Sequence, residues 1–221
     1  MTKKCFIFDL DGVIVDTAKY HFVAWKSLAN SLGIDFSHKQ NEQLKGVSRK
    51  HSLEKILSWG KKTITQHEFQ RLMEEKNTSY LAYISKMNAS ELLPDVDRVL
   101  PFLIENDQYI TLGSASKNAR PILDKVKITA FFDAIVDGND VAEAKPNPEV
   151  FLKAARLTDS KVKNCIVFED SVAGIQAANA AGMISVGIGD ATVLNEAQYN
   201  FEDFRALTND FIIKLIQKTE S

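Results

Sequence analysis

The sequence has little cysteine and little net charge, and both shortages exclude classes of protein. Its two cysteines, Cys5 and Cys165, each lie in an apolar run that we interpret as a buried strand, so we expect reduced thiols and no disulfide framework. The net charge is −2 and no block of lysine and arginine is long, which argues against nucleic acid or a membrane as partner. Small anionic substrates stay open, because a pocket needs only a few local cations.

The first apolar run also lacks the length of a signal peptide, because Asp9 and Asp11 interrupt it. We therefore expect a cytoplasmic protein, and we expect a monomer. The 221 residues are 45% hydrophobic and 25% charged, which is typical of a globular chain that buries a core of domain size. No internal repeat and no low-complexity segment is visible in the sequence.

Strand and helix signals alternate in the second half of the chain, which is typical of a parallel sheet with crossover helices. The first strand is the apolar run 4–8, which ends abruptly in Asp-Leu-Asp-Gly. Asn147 and Pro148 have the pattern of a helix N-cap and first helical position. Further strands are predicted at 108–113, 131–136, 163–168 and 183–188, with helices at 118–126, 147–157 and 171–181 and a last strand and helix after about 190.

Between these strands, residues 16–87 carry helix signals alone. His21, Trp25 and Leu28 share one helix face, and two helix starts have the pattern of a capping box, Ser37 with Gln40 and Thr65 with Glu68. A short amphipathic helix is also predicted at 52–59. The fold class is therefore α/β, a doubly wound and mostly parallel sheet with an inserted all-helical cap. We expect a core domain of residues 1–15 and 93–221 and a cap domain of residues 16–92, with hinges near Thr17 and at 93–94.

Polar side chains follow several of the predicted strands. They are Asp9, Asp11, Ser114, Lys145, Glu169 and Asp170. Each one alone is more often a turn former, a helix cap or a solvated loop residue. Because the carboxyl ends of parallel strands meet at the edge where α/β sheets bind ligands, their joint occurrence favours a functional site.

Phosphoryl transfer explains why these residue types occur together. A carboxylate such as Asp9 can attack phosphorus and form an aspartyl-phosphate, provided that cations reduce the repulsion between the two anions. Magnesium takes oxygen ligands, and Asp9 and Asp170 are placed to supply them, with Glu169 acting through a water.

The other polar residues suit the phosphate and the proton. Lys145, the Ser114 hydroxyl and the backbone N–H groups of the turn through Ala115 and Ser116 are placed to hold phosphate oxygens. Asp11, two residues beyond the nucleophile, suits a general acid and base for a sugar hydroxyl.

As a set, these motifs resemble those of the haloacid dehalogenase-like phosphotransferases. The first is Asp9-Leu10-Asp11-Gly12, and the others match Ser114, Lys145 and the Glu169-Asp170 pair in the same order. The resemblance implies that Asp9 is the nucleophile and Asp11 the acid and base. It also implies a Mg²⁺ ion held by the side chains of Asp9 and Asp170 and the carbonyl of Asp11.

Three runs resemble a narrower subgroup of that family, the sugar-phosphate mutases. They are residues 17–25, 41–49 and 114–118, the last of which ends in Asn118. The likeness implies that the enzyme interconverts β-D-glucose 1-phosphate and D-glucose 6-phosphate through the 1,6-bisphosphate and an aspartyl-phosphate on Asp9. A sugar-phosphate phosphatase of the same family is the alternative, and a non-catalytic binding protein is the least favoured because no motif residue is lost.

The predicted cap carries cations that a mutase would use for a second phosphate. Lys76 falls on an apolar helix stripe, where it either snorkels or reaches a substrate. Lys45, Gly46 and Arg49 form a short loop that is either solvated or a phosphate site with Arg49 in a bidentate grip. His21 is either a structural histidine or, as the resemblance implies, a residue that orients Asp11 and the substrate.

Trp25 lies on the same helix face as His21, and we include it among the expected substrate-binding residues. His51, beside Arg49, departs from the resemblance, and the sequence does not predict its effect. The segment after about residue 190 carries no motif residue, so we expect it to have no part in the chemistry.

Overall fold

A computed structural model describes residues 3–218, and within that range a six-stranded parallel sheet forms the centre of the molecule. The strand order is β3-β2-β1-β4-β5-β6. In the register of the central strands, Phe8 lies opposite Leu112 on one side and Phe168 on the other. The strands are β1 (Cys5–Phe8), β2 (Tyr109–Gly113), β3 (Ala134–Val136), β4 (Cys165–Glu169), β5 (Ile184–Ile188) and β6 (Tyr199–Phe201).

This strand order makes the sheet doubly wound. The chain builds outward from β1 to β3 on one side and then crosses to β4 and builds outward on the other. The order therefore reverses beside β1, and ligands of open α/β sheets bind at the carboxyl edge of such a reversal. Asp9, the residue that follows β1, lies at that point.

Nine α-helices occur within the described residues. Five of them lie between β1 and β2 in the sequence, and the first four of these form the inserted cap. The nine helices are α1 (Ala18–Ser31), α2 (His38–Glu42), α3 (Arg49–Trp59), α4 (Gln66–Ile84), α5 (Val96–Glu105), α6 (Ala119–Lys125), α7 (Glu149–Leu157), α8 (Val172–Ala180) and α9 (Asn209–Gln217). The predicted fold class, a doubly wound α/β sheet with an inserted helical cap, is confirmed. None of the helices in this range is long and apolar enough to cross a membrane.

The strands alternate their side chains between two cores. Phe6, Phe8 and Phe168 stack on one face of the sheet, and Ile7 and Val167 face the other. Because both faces are covered, β1 is buried at every position, as its apolar sequence predicts.

Helices α1, α3 and α4 share a third hydrophobic cluster, and α1 and α4 also contribute Ala24, Tyr80 and Ile84 to one of the clusters of the sheet. Trp25, Leu28, Leu53 and Ile56 are buried in the third cluster. A hydrophobic cluster built from cap residues alone supports the division into core and cap domains. The exact boundaries at 15/16 and 92/93 stay a prediction.

Local signals predicted the helix starts better than the strand ends. The capping box of Ser37 and Gln40 is confirmed, and the Thr65 side chain accepts the backbone N–H of Glu68. The helix expected from residue 52 begins three residues earlier, at Arg49, because Ser48 caps it. Pro148 is the N-cap residue of α7, not its first helical residue.

Two predicted strands are too long at their beginnings. The strand expected at 131–136 begins at Ala134, because Thr129–Phe131 forms a 3₁₀ turn, and the strand expected at 163–168 begins at Cys165, after the 3₁₀ turn Val162–Asn164. Apolar runs do not distinguish a strand from the turn that leads into it. The last strand and helix expected after residue 190 are present as β6 and α9.

Candidate active site

A cavity of about 430 Å³ lies between the cap helices and the carboxyl edge of the sheet. All the site residues predicted from the sequence line it except Glu169, which is fully buried beside Asp170. The structure therefore brings together Asp9, Asp11, His21, Trp25, Lys45, Gly46, Arg49, Lys76, Ser114, Ala115, Ser116, Asn118, Lys145 and Asp170.

The acidic centre of the cavity is built around one buried lysine. Carboxylate oxygens of Asp9, Glu169 and Asp170 lie within 4.8 Å of one another. The Lys145 ammonium donates to Asp9 Oδ1 at 2.6 Å and to Glu169 Oε1 at 2.5 Å. Burial raises the pKa of Asp9 well above its ordinary value, and the charge of Lys145 opposes that rise.

Lys145 itself keeps its proton. Burial alone would lower its pKa, but Asp9 and Glu169 together raise it above the ordinary value. The lysine is therefore a fixed positive charge next to the carboxylate that the sequence predicts as nucleophile. Such a charge favours an anion, such as a phosphoryl group, at the same place.

The three carboxylates fit a magnesium ion by their chemistry, since Mg²⁺ prefers oxygen ligands and one or two carboxylates. Glu169 is already engaged at both oxygens, because its Oε2 accepts the backbone N–H and the hydroxyl of Ser171 at 2.9 and 2.8 Å. Asp9 and Asp170 are thus better placed than Glu169 to bind an ion directly. Gly12 allows this arrangement, because its positive φ of 85° suits glycine and a Cβ there would lie 2.1 Å from Asp170 Oδ2.

The cap reaches this acidic centre through Lys45. The Lys45 ammonium lies 3.2 Å from Asp170 Oδ2 and also pairs with Glu42 at 2.9 Å. Burial raises the pKa of Asp170 to about 7, against the opposing effect of Lys45. Gly46 has a φ of 70°, and a Cβ on it would lie 2.5 Å from Ser171 Oγ, so only glycine permits this approach of cap and core.

A second polar chain surrounds Asp11. The Thr17 hydroxyl donates to Asp11 Oδ1, and His21 Nε2 lies 4.0 Å from the same oxygen. On its other side, His21 Nδ1 is 2.9 Å from the Lys76 ammonium. When Lys76 carries its proton it can only donate, so in that form Nδ1 accepts and Nε2 carries the hydrogen that faces Asp11. Burial, together with Lys76 and Arg49, lowers the pKa of His21 well below its ordinary value, so the ring is neutral.

The loop after β2 presents hydroxyl groups to the cavity. Ser114 Oγ accepts the backbone N–H of Ser116 at 3.1 Å, and Ser116 Oγ accepts that of Asn118 at 3.2 Å. Each oxygen therefore acts as an acceptor within the loop, and its hydroxyl hydrogen is left to donate elsewhere. This is the arrangement that a phosphate requires, since phosphate oxygens only accept.

The cap cations occupy two places and not one. Lys76 does not snorkel, because it is 2% exposed and its ammonium lies 4.8 Å from the centre of the Trp25 ring. Arg49 lies in the first turn of α3 and is near enough to Lys76 to lower its pKa. Lys45 points instead to Asp170, so the expected convergence of all three cations on one far phosphate is not seen in this state.

Several residues at the site were missed by sequence reasoning. Thr17 was expected only as a hinge, yet it binds Asp11. Ser52, which is buried, follows Arg49 by one helical turn and lines the cavity, a spacing that could have been recognised. Lys117 and His51 also line the cavity, and His51 Nδ1 lies 3.1 Å from Ser48 Oγ.

A buried aspartate beside a fixed lysine, on a doubly wound sheet with a helical cap, is the arrangement of an aspartyl phosphotransferase. Residues 3–182 match the family of haloacid dehalogenase-like hydrolases, and the chain belongs to that family.

Individual members of the family show which enzymes the chain is similar to in sequence and structure. The chain is 46% identical over 188 residues to the β-phosphoglucomutase of Bacillus subtilis, an alignment that covers 84% of this chain and 83% of the relative. It also superposes on the crystal structure of a β-phosphoglucomutase from Clostridium difficile with a TM-score of 0.93, at 40% identity and 97% coverage of both chains. A fructose-1-phosphate phosphatase of Escherichia coli is 31% identical, with 82% of this chain and 94% of that protein aligned.

The burial of Lys76 predicts a pH-dependent stability. Burial, with Arg49 nearby, lowers its pKa from 10.5 to about 7, so between these values the unfolded chain binds a proton that the folded chain does not. The stability of the protein should therefore rise with pH across that window. Lys76→Met has no such proton, so its free energy of unfolding should lack this rise. Between about pH 7 and about pH 10, the free energy of unfolding of the wild type should increase by up to about 4 kcal/mol relative to that of the variant.

The measurement is urea unfolding of both proteins without metal or substrate at a series of pH values. Lys50→Met, at an exposed cap lysine, is the matched control and should follow the wild-type curve. Parallel curves for wild type and Lys76→Met would show that Lys76 keeps its proton when folded.

Proposed function

We propose that this chain is an isomerase that interconverts β-D-glucose 1-phosphate and D-glucose 6-phosphate through β-glucose 1,6-bisphosphate. The observation that carries the proposal is a cavity in which a buried nucleophile on the core faces Arg49 on the cap. Two phosphate sites are what a mutase needs and a phosphatase does not. The likeness to β-phosphoglucomutases, at 46% and 40% identity, supports the same reaction.

The reaction begins with a phosphoryl group on Asp9. An oxygen of the sugar attacks phosphorus, the bond between phosphorus and the Asp9 oxygen breaks, and the carboxylate is restored. Lys145 and the Ser114 hydroxyl hold the phosphoryl oxygens while the negative charge moves between donor and acceptor. After the bisphosphate has turned over, Asp9 takes the phosphoryl group from C1 and glucose 6-phosphate is released.

Asp11 moves the proton in both halves of the cycle. It accepts the hydrogen of the attacking C6 hydroxyl in the first half and returns it to the C1 oxygen in the second. Burial raises the pKa of Asp11, which favours the protonated form that the second half requires. Thr17 and the neutral His21 hold its carboxyl group in position from two sides.

A magnesium ion is proposed as the cofactor, held by the side chains of Asp9 and Asp170 and the carbonyl of Asp11, with Glu169 acting through a water. When bound, it would neutralise charge between the nucleophile and the phosphoryl group. The Asp11 side chain faces Thr17 and lies outside the carboxylate cluster, which supports its role as an acid and base.

The cap decides whether the phosphoryl group goes to sugar or to water. Contacts between the loop at Gly46 and Ser171 bring cap and core together above Asp9. A closed cap excludes water from the phosphoaspartate, and it must open for the bisphosphate to turn over.

We propose sugar phosphates as the ligands, with neither nucleic acid nor membrane as a partner. The cytoplasmic location and the monomeric state stay predictions.

A sugar-phosphate phosphatase is the competing function, since one relative in the family is a fructose-1-phosphate phosphatase. An assay coupled to glucose 6-phosphate formation, run beside an assay of inorganic phosphate on the same preparation with Mg²⁺ and bisphosphate primer, separates the two. The mutase should form glucose 6-phosphate much faster than phosphate. Fast phosphate release without isomerisation would overturn the proposal.

Replacing the nucleophile should abolish turnover. Asp9→Asn keeps the shape of the side chain but removes the charged oxygen that attacks phosphorus, so we expect a loss of at least about a thousandfold in kcat. The thermal unfolding midpoint should show that the variant stays folded. Retained activity would mean that another residue is the nucleophile.

Removing the cap guanidinium should weaken use of the bisphosphate. Arg49→Ala deletes a charge-assisted contact to the far phosphate, and contacts of this kind contribute about 1.5–3 kcal/mol, which corresponds to roughly tenfold to a hundredfold in kcat/KM. Lys39→Ala, at an exposed cap lysine that does not line the cavity, is the control. Unchanged kinetics in Arg49→Ala would remove the argument for a second phosphate site on the cap.

A further inference from the structure

Asn77 joins the cap to the phosphate loop of the core. It follows Lys76 on α4, and its Oδ1 accepts a hydrogen bond from Asn118 Nδ2 at 3.0 Å. Asn118 lines the cavity, whereas Asn77 lies behind it and does not. Asn77 therefore touches a residue of the site without touching the site itself.

The direction of this hydrogen bond matters because a carboxamide has two unlike ends. The nitrogen of Asn118 carries two hydrogens and its oxygen carries none, so a half-turn of the group exchanges a donor for an acceptor. Phosphate oxygens only accept, and an amide oxygen turned toward them would repel the anion. One of the two Asn118 hydrogens is committed to Asn77, which leaves the other for the cavity.

The backbone of the loop does not fix this orientation. The Asn118 main-chain N–H donates to Ser116 Oγ and so holds the start of α6, but it leaves rotation of the side chain free. Asn77 is the partner that the structure provides for the side-chain carboxamide.

We propose that Asn77 is a positioning residue, which accepts one Asn118 N–H and thereby turns the second toward a phosphate held between the core loop and Arg49. The inference rests on the proposed function, since it assigns a ligand to that subsite. It adds a residue of α4 to the phosphate site, although that residue never contacts the substrate.

The test is a double-mutant cycle of Asn77→Ala and Asn118→Ala. In Asn77→Ala the carboxamide of Asn118 loses its preferred orientation, so KM for the bisphosphate should rise roughly threefold to tenfold with kcat little changed. The same substitution in the Asn118→Ala background should have no further effect, because nothing is left to orient. Thr78→Ala, at the next and exposed position, is the control and should match wild type.

Three results would overturn the inference. They are an unchanged KM in Asn77→Ala, effects of the two substitutions that simply add, and a rise in phosphate release at unchanged KM. The second would indicate a general structural role, and the third would indicate a contact that only keeps the cap closed.

Failure of the proposed function is visible separately. A wild-type enzyme that releases phosphate and forms no glucose 6-phosphate would refute the mutase. The same cycle, with KM measured on hydrolysis of the sugar phosphate, would still test Asn77.

Discussion

The site depends on one buried positive charge among buried carboxylates. Lys145 donates to Asp9 and Glu169 at once, and both acids lie at the carboxyl ends of neighbouring strands. Carboxylates at this separation repel each other strongly in a medium of low dielectric, and the charge of Lys145 offsets that repulsion and opposes the rise that burial causes in the pKa of Asp9. A protonated aspartate is a poor nucleophile, so the ion pair that permits the burial of Asp9 also permits its chemistry.

The cap extends the same balance of charge. Lys45 reaches Asp170 from the cap, and burial together with Lys76 lowers the pKa of His21 beside Asp11. Closure of the cap therefore does more than exclude water, because it supplies cations and hydrogen-bond partners to residues of the core. On this account, the difference between a phosphatase and a mutase lies in what the cap brings to a nucleophile that both share.

The sequence predicted the fold and the core of the site well, for physical reasons. Residues that follow parallel strands meet at one edge of the sheet, so the polar residues after each apolar run could be assigned to one site. Cap contacts were predicted less well. The direction of Lys45, the bond from Thr17 to Asp11 and the pairing of Asn77 with Asn118 all depend on how two packed bodies meet. No local pattern of residues encodes how the cap packs on the core.

In a mutase, the phosphoryl group on Asp9 passes to sugar and not to water. Rapid quenching of a single turnover, with radiolabelled β-glucose 1,6-bisphosphate and excess enzyme, follows that group directly. We expect label first on the protein, in an acyl phosphate that Asp9→Asn cannot form, and then on added β-glucose 1-phosphate. The contrary result would be label that leaves the protein and appears at the same rate as inorganic phosphate, even though sugar is present. That result would show transfer to water.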